Sequence, residues 1–182
     1  MPVLYILGGA NGVGKTSWYN TSIKEGFIDP ALSFINVDTI TLKELGGYTA
    51  ENFVKAEAIA RERIARHIDK KETFMIESNL AKASDYEWIE RMESKGYETV
   101  LYFLGTDDIE INKNRVRERV QEGGHDVPDN IIEQRYRMGI SYLKTKILLF
   151  KEAYLVDNSL PIPQEIAHLK DFKSGRGLTF SI

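Results

Sequence analysis

The residues with the clearest chemistry form a glycine-rich loop near the start of the chain. They read Gly9-Ala10-Asn11-Gly12-Val13-Gly14-Lys15-Thr16, with Ser17 directly after. In this spacing the glycines let backbone N–H groups surround an anion, the lysine reaches the β- and γ-phosphates, and the threonine hydroxyl holds magnesium. An apolar run over residues 3–7 precedes the loop and a helical segment follows it, which is the setting that the motif needs. The loop therefore predicts a site for ATP and Mg²⁺ built from residues 9–17.

Acidic residues follow two of the predicted strands, at the edge of the sheet where a nucleotide would bind. Asp38 comes after the apolar run 34–37, and Glu77 comes after residues 73–76. Ligands of open parallel sheets bind outside the carboxyl ends of the strands, so both carboxylates should face the phosphates. Asp38 could take a proton from an attacking hydroxyl or hold magnesium through water, and a helix cap is its structural alternative. Glu77 would orient the acceptor or lie near the metal.

A pair of arginine-bearing helices lies in the second half of the chain, over approximately residues 112–137. Arg115 and Arg119 are four residues apart and share one helix face, and Arg135 and Arg137 lie on the next helix. Two such helices can close over a nucleotide as a lid, where arginines neutralise the transferred phosphoryl group. A solvated charged face is the alternative. His125, in the glycine-containing break between the helices, would contact phosphate or cap the loop.

Five short apolar segments supply the strands that must position these groups. They cover residues 3–8, 34–37, 73–76, 99–104 and 153–156. Helical patterns separate them, and a last short helix is expected near residues 164–170. Strands that alternate with helices predict an α/β fold with a five-stranded parallel sheet.

The composition sets limits on the class of protein. The chain has 182 residues, which predicts a single domain over 1–182, and its net charge of −3 gives no basic field for nucleic acid. It has no cysteine, so disulfides and thiolate metal sites are excluded. No apolar run approaches the roughly 18 residues of a membrane span, and no signal peptide is expected. A cytoplasmic protein that acts on a small molecule, without nucleic acid or membrane, is the expectation.

Several stretches together resemble one known family. They are Gly8–Ser17, Ile76–Leu80, Arg115–Val120, Gly123–Pro128, Arg135-Tyr136 and Asp157–Ser159. These stretches resemble the zeta-toxin-like P-loop kinases, which include UDP-N-acetylglucosamine kinases. The resemblance implies a nucleoside-kinase-like, three-layer α/β/α fold with a helical lid. It also implies ATP- and Mg²⁺-dependent phosphorylation of a sugar hydroxyl.

The same resemblance suggests roles for individual residues. Lys15 and Thr16 would hold phosphate and metal, and Asp38 would match the catalytic base. Arg119 and Arg135 would match the lid arginines that clamp the transferred phosphate. Residues on the acceptor side would be Glu77, Asn79 and His125, with Asn79 standing where a threonine is common. No counterpart of the extra C-terminal region of the larger toxin members is expected from this sequence.

The predicted function is that of a small-molecule kinase that moves the γ-phosphoryl group of ATP to a hydroxyl of a sugar nucleotide or related metabolite. A kinase of a simple sugar, a nucleoside or a polynucleotide end is one alternative, and a nucleotide-binding regulatory module is the other. A GTPase switch is disfavoured, because no N-K-x-D base-reading motif occurs. The motifs leave open the acceptor, the choice between ATP and GTP, the oligomeric state and an antitoxin-like protein partner.

Overall fold

A central six-stranded sheet organises residues 1–170, the part of the chain that the computed structural model describes. Its strands are β1 (Val3–Gly8), β2 (Phe34–Ile35), β3 (Phe74–Ser78), β4 (Glu98–Gly105), β5 (Glu152–Asp157) and β6 (Gln164–Lys170). Their order across the sheet is β2-β3-β1-β4-β5-β6, with the first five strands parallel and β6 antiparallel to β5. The loop after β1 therefore leaves from the middle of the rim where parallel strands end, between β3 and β4.

Helices cover both faces of the sheet. They are α1 (Lys15–Lys24), α2 (Val37–Thr39, continuing into a π-helical segment, Ile40–Glu44), α3 (Ala50–Lys70), α4 (Ala83–Ser94), α5 (Ile109–Gln121) and α6 (Asp129–Lys146). One core cluster joins the sheet to α3, α4 and α6, and a second joins the opposite face to α1. Neighbouring β1 residues show the division, because Ile6 belongs to the first cluster and Leu7 to the second. The predicted three-layer α/β/α fold is confirmed.

Two sequence predictions about the strands are wrong. Residues 164–170 form strand β6 rather than a helix, so the sheet has six strands and is mixed. Buried Ala167 and Leu169 alternate with more exposed neighbours along this segment, a period of two that indicates a strand. The second strand is shorter than predicted, because the Asn36 side chain accepts a hydrogen bond from the Thr39 backbone N–H at 2.9 Å and starts α2 there.

Two further expectations meet the structure only in part. The predicted domain 1–182 stays a prediction, and its last twelve residues, 171–182, lie outside the described part of the chain. Within residues 1–170, none of the helices combines the length and apolar character that crossing a membrane would require.

Candidate active site

The backbone of the glycine-rich loop adopts conformations and close contacts that a residue with a Cβ atom could not accommodate. Gly12 and Gly14 take φ values of 74° and 92°, in the left-handed region that favours glycine. A Cβ atom at Gly12 would lie 2.1 Å from the Asn112 carbonyl oxygen, so the loop also presses closely against α5. Helix α1 begins directly after Gly14, which directs its N-terminal N–H groups towards the space enclosed by the loop.

Two buried asparagines hold this loop from the opposite side. The Asn112 Nδ2 atom donates to the Asn11 carbonyl oxygen at 2.8 Å, and the Asn158 Nδ2 atom donates to the Val13 carbonyl oxygen at 2.7 Å. Asn112 also accepts a hydrogen bond from the Thr106 hydroxyl at 2.5 Å. Sequence reasoning gave neither asparagine a role in shaping the loop. For Asn112 the available signal was an amide residue in a helix interior, where asparagine is a poor helix former.

Lys15 lies buried between the loop and the end of β3. Its ammonium donates to the carbonyl oxygens of Gly9 and Ala10 at 2.6 and 3.1 Å, and to Asn79 Oδ1 at 3.3 Å. It also lies 3.5 Å from a carboxylate oxygen of Glu77. Burial lowers the pKa of Lys15, while the carboxylates of Glu77 and Asp38 act to raise it. Lys15 is therefore in direct contact with two of the three predicted acceptor-side residues, Glu77 and Asn79.

Glu77 connects Lys15 to the end of β2. Its second carboxylate oxygen accepts a hydrogen bond from Asn36 Nδ2 at 2.5 Å. Burial raises the pKa of the Glu77 carboxyl, and the nearby Lys15 charge opposes that shift. Asn36 was not predicted as a site residue, although it starts α2 and fixes Glu77 at the same time. The Asn36 contact fixes one carboxylate oxygen of Glu77, and Glu77 also lines the cavity described below.

Asp38 lies in the first turn of α2 and faces the lid. Its carboxylate lies 3.9 Å from Nδ1 of His125, and its side chain is 37% exposed. The His125 ring is packed against Tyr48 and Phe53, with ring centroids 5.2 and 5.3 Å away. Burial lowers the pKa of His125, and the Asp38 charge acts in the opposite direction. His125 therefore links the lid to the carboxylate predicted to act as a base.

The lid arginines reach the site by different contacts. Arg119 donates to the His125 carbonyl oxygen at 2.8 Å, and its buried Nε has no hydrogen-bond partner among residues 1–170. Arg135 donates to the Asn11 side-chain oxygen at 2.7 Å, so α6 is tied to the glycine-rich loop. Arg115 approaches the Val13 carbonyl oxygen at 3.5 Å. Arg137 makes none of the described contacts with the loop, so Arg115, Arg119 and Arg135 lie closer to the site than Arg137.

The lid segment carries a small core of its own. Val116 of α5, Val127 of the connecting loop and Ile132 of α6 form a separate buried cluster. Ion pairs of 2.7 Å between Lys113 and Glu133, and of 2.6 Å between Arg117 and Asp129, join the two helices. The two lid helices are therefore fastened to each other independently of the sheet.

These elements enclose a cavity of about 460 Å³ above the glycine-rich loop. Asn11, Gly12, Gly14, Lys15, Thr16 and Ser17 line its floor. Its walls include Asp38, Glu77, Arg115, Arg119 and Asn158, and its far end is lined by Trp18, Leu160, Pro161 and Pro163. The cavity thus combines a phosphate-binding loop, two arginines and four carboxylates, since Glu118 and Glu122 also line it, with an apolar end suited to a nucleobase.

Most predicted site residues lie in or against this cavity, but in different layers. Gly9, Ala10 and Val13 are buried behind the loop and shape it. Asn79, His125 and Arg135 do not line the cavity and act on it through Lys15, Asp38 and Asn11, respectively. Thr16, at the start of α1, is exposed on the floor. Their roles in binding or catalysis remain predictions.

The donor set for a metal ion is small. Within the described part of the chain, no group of three or more His, Cys, Asp or Glu side chains comes together as a metal site. The Thr16 hydroxyl faces the cavity at the first turn of α1, which is where a phosphate-bound magnesium ion meets the protein in loops of this type. The residues fit a metal that is held jointly with the nucleotide rather than by a protein cage.

Comparisons with known proteins give matches in sequence and in fold. The zeta toxin family model matches residues 1–148. An uncharacterized protein of Haemophilus influenzae is 30% identical over 82 residues, which cover 45% of this chain and 56% of that protein. The chain thus spans just over half of this curated relative.

Solved structures show the same fold. A chain from the AvrRxo1-ORF1 and -ORF2 complex with ATP has a TM-score of 0.72 and 14% identity, and the match covers 94% of this chain and 59% of that one. A chain of the PezAT toxin–antitoxin system of Streptococcus pneumoniae has a TM-score of 0.62 and 17% identity, with coverage of 100% and 75%.

Proposed function

The chain belongs to the zeta toxin family, and from that premise we propose that it is an ATP-dependent phosphotransferase. It would move the γ-phosphoryl group of ATP to a hydroxyl of a sugar nucleotide or a related metabolite. The observation that carries the proposal is the single cavity in which Lys15, Asp38, Glu77 and Arg119 surround the space above the glycine-rich loop. Binding of ATP to the AvrRxo1 relative supports the choice of nucleotide.

The proposed reaction breaks the bond between the γ-phosphorus and the bridging oxygen of ATP and forms a bond from that phosphorus to the acceptor oxygen. Asp38 receives the acceptor's hydroxyl proton, and ADP leaves with the bridging oxygen. Lys15 and the lid arginines stabilise charge on the transferred group, which is the main contribution a protein makes to this reaction. Thr16 would hold a magnesium ion together with the phosphates, and the ion would supply further charge neutralisation.

Arg119 is well placed for this role because it lines the cavity and its guanidinium is anchored to the His125 carbonyl oxygen at 2.8 Å. An anionic phosphoryl group in the cavity would pair with the guanidinium charge. The lid loop reinforces the position, since a Cβ atom at Gly124 would lie 2.5 Å from Arg119 Cγ. The orientation of Arg119 is therefore set by packing around His125 and Gly124 before a ligand arrives.

The test is ADP release from ATP and magnesium with a panel of UDP-sugars, free sugars and nucleosides. Asp38→Asn keeps the shape of the side chain and removes the proton acceptor, so turnover should fall by about 100-fold or more while ATP binding persists. Lys15→Ala should abolish both. Glu51→Gln, an exposed acid on α3, is the matched control and should change neither. Phosphoryl transfer by Asp38→Asn at the wild-type rate would contradict the assignment of the base.

A nucleotide-binding regulatory module is the second candidate function, favoured by the contacts that tie the lid to the loop. Arg135 bonds Asn11 and Asn112 bonds the same loop, so nucleotide occupancy could be transmitted to α5 and α6. The named structural relatives come from a two-protein complex and a toxin–antitoxin system, which suggests a protein partner for this chain as well. A module of this kind would keep its partner-binding response in Asp38→Asn, whereas a kinase would lose turnover.

A further inference from the structure

A serine, a histidine and a glutamate form a connected group at the edge of the sheet opposite the nucleotide cavity. Ser33 directly precedes β2, and Glu72 lies two residues before β3. Because β2 and β3 are parallel, both strands start at this edge, and the cavity beside Asp38 and Glu77 lies at their other ends. His67, in the last turn of α3, joins the serine to the glutamate. The group is therefore separate from the residues of the proposed phosphoryl transfer.

The hydrogen bonds of this group fix which ring nitrogen of the histidine carries the proton. His67 Nδ1 lies 2.8 Å from a carboxylate oxygen of Glu72, and His67 Nε2 lies 2.9 Å from the hydroxyl oxygen of Ser33. An ionised carboxylate can only accept, so Nδ1 carries the proton and donates to Glu72. In the neutral ring Nε2 is then an acceptor, and the Ser33 hydroxyl donates to it. A hydroxyl, an imidazole and a carboxylate in this order activate serine as a nucleophile.

The surrounding residues hold the histidine in this position. Its ring stacks on fully buried Phe74, with ring centroids 5.2 Å apart and an interplanar angle of 13°. The Tyr97 hydroxyl lies 2.9 Å from the His67 carbonyl oxygen and 3.0 Å from the Glu72 carbonyl oxygen, so it fastens the backbone of both residues. Ser33 is only half-buried, so a small molecule can reach its hydroxyl.

A backbone N–H group beside Ser33 can stabilise negative charge on a reacting carbonyl oxygen. The Ser33 carbonyl oxygen accepts a hydrogen bond from the Met75 backbone N–H at 2.8 Å, so this carbonyl points towards β3. In a trans peptide the N–H lies opposite the carbonyl, so the Phe34 N–H points away from β3. β2 is the outer strand, and no strand among residues 1–170 lies on that side. Known serine hydrolases use the N–H of the residue after the nucleophile in the same way.

We propose that Ser33, His67 and Glu72 form an acyl-accepting site that takes small, activated esters. The Ser33 oxygen forms a bond to the acyl carbon, and the bond from that carbon to the alcohol oxygen of the ester breaks. The hydroxyl proton passes to His67 Nε2 and then to the leaving oxygen, and Ser33 keeps the acyl group as an ester. Since a single backbone N–H faces the developing oxyanion, the ester needs a good leaving group.

The test is acetylation by p-nitrophenyl acetate, measured as release of p-nitrophenol and located by peptide mass spectrometry. We expect the acetyl group on Ser33, and loss of the base in His67→Gln should slow its appearance by about 100-fold. Glu72→Gln should slow it by about tenfold, because the ring loses the carboxylate that orients it. His168→Gln is the matched control and should react as the parent does. His168 Nε2 also lies 2.7 Å from a carboxylate, that of Glu152, and contacts no serine in the described part of the chain.

A thiol at position 33 gives a second measurement that does not depend on esters. The chain has no cysteine, so Ser33→Cys carries the single thiol of the protein. A neighbouring imidazole favours the reactive thiolate, so iodoacetamide at pH 7 should alkylate Ser33→Cys about tenfold faster than Ser94→Cys. Ser94 is the more exposed of the two and bonds the Arg91 carbonyl oxygen, so access alone would give the opposite order. Adding His67→Gln to Ser33→Cys should remove the difference.

Three outcomes would overturn the inference. They are an absence of acetyl on Ser33 in the parent, undiminished acetylation in His67→Gln, and equal or slower alkylation at position 33 than at position 94. The thiol measurement keeps the test decisive if His67→Gln does not fold, because Ser33→Cys retains both His67 and Glu72.

Discussion

Replacing Asn112 by alanine should destabilise the protein and loosen the glycine-rich loop together. Asn112 is fully buried, and its amide makes two hydrogen bonds, one to the Asn11 carbonyl oxygen and one from the Thr106 hydroxyl. Each lost bond costs about 1 kcal/mol net, and a buried partner left unsatisfied costs about 1–3 kcal/mol. Since the Thr106 hydroxyl can rotate to another acceptor, we expect a total loss of about 2–4 kcal/mol. For a domain of this size, that corresponds to a fall in Tm of about 4–16 °C.

The assay is urea and thermal unfolding of Asn112→Ala beside Asn114→Ala. Asn114 lies two residues away on α5 and is exposed, and its side chain bonds only Arg117 among the described contacts. That control removes the same atoms from the same helix and should cost less than about 0.5 kcal/mol. Asn112→Asp separates the two bonds, because it keeps an acceptor for Thr106 and loses the donor to Asn11. Equal stability of the alanine variants at positions 112 and 114 would refute the reasoning.

Further predictions concern the lid and the site. Gly124→Ala forces a Cβ against Arg119 and should reduce phosphoryl transfer by about 10- to 100-fold, whereas Gly105→Ala, with open space around its Cβ, should not. ADP release measured for both variants decides this, and equal rates would contradict the packing argument. Burial lowers the pKa of His125, so protonation favours unfolding and stability should fall as the pH drops below about 6.5. His125→Gln should flatten that part of a plot of urea midpoint against pH. His168→Gln controls for the loss of an imidazole. A plot that keeps its slope in His125→Gln would contradict the assignment of this pH dependence to His125.

Structural features that depend on a local sequence pattern could be predicted, whereas contacts between residues far apart in the sequence could not. The spacing of Lys15 and Thr16 behind glycines, and the position of Glu77 after an apolar run, are local patterns with one good structural solution. The bond from Asn112 to Asn11 spans 101 residues of sequence, and an asparagine within a helical segment does not indicate which distant residue it will contact. Such contacts are decided by which elements the topology makes neighbours.

The error at β6 has a similar origin. Residues 164–170 follow two prolines and include polar residues, which made a short terminal helix plausible. The segment becomes a strand because β5 has a free edge on one side, and its exposed backbone groups are satisfied by a partner that runs back along it. Tertiary context of this kind overrides local preference in a short segment. For Asp38 the position was predicted correctly although the secondary structure was not. It lies at the edge of the sheet where parallel strands end, but in α2, because the strand before it ends at Ile35.

The separate core of the lid has a consequence for how this protein can be altered. Val116, Val127 and Ile132 are buried by one another, and ion pairs join α5 to α6, so much of the information that shapes this segment lies within it. A segment of that kind can be lengthened or exchanged as a unit, provided that the contacts from Asn112 and Arg135 to Asn11 and the packing of α6 on the first core cluster are retained. Grafting is thus expected to succeed at the ends of the α5–α6 hairpin. A graft boundary within the hairpin would separate three apolar side chains that pack in one buried cluster.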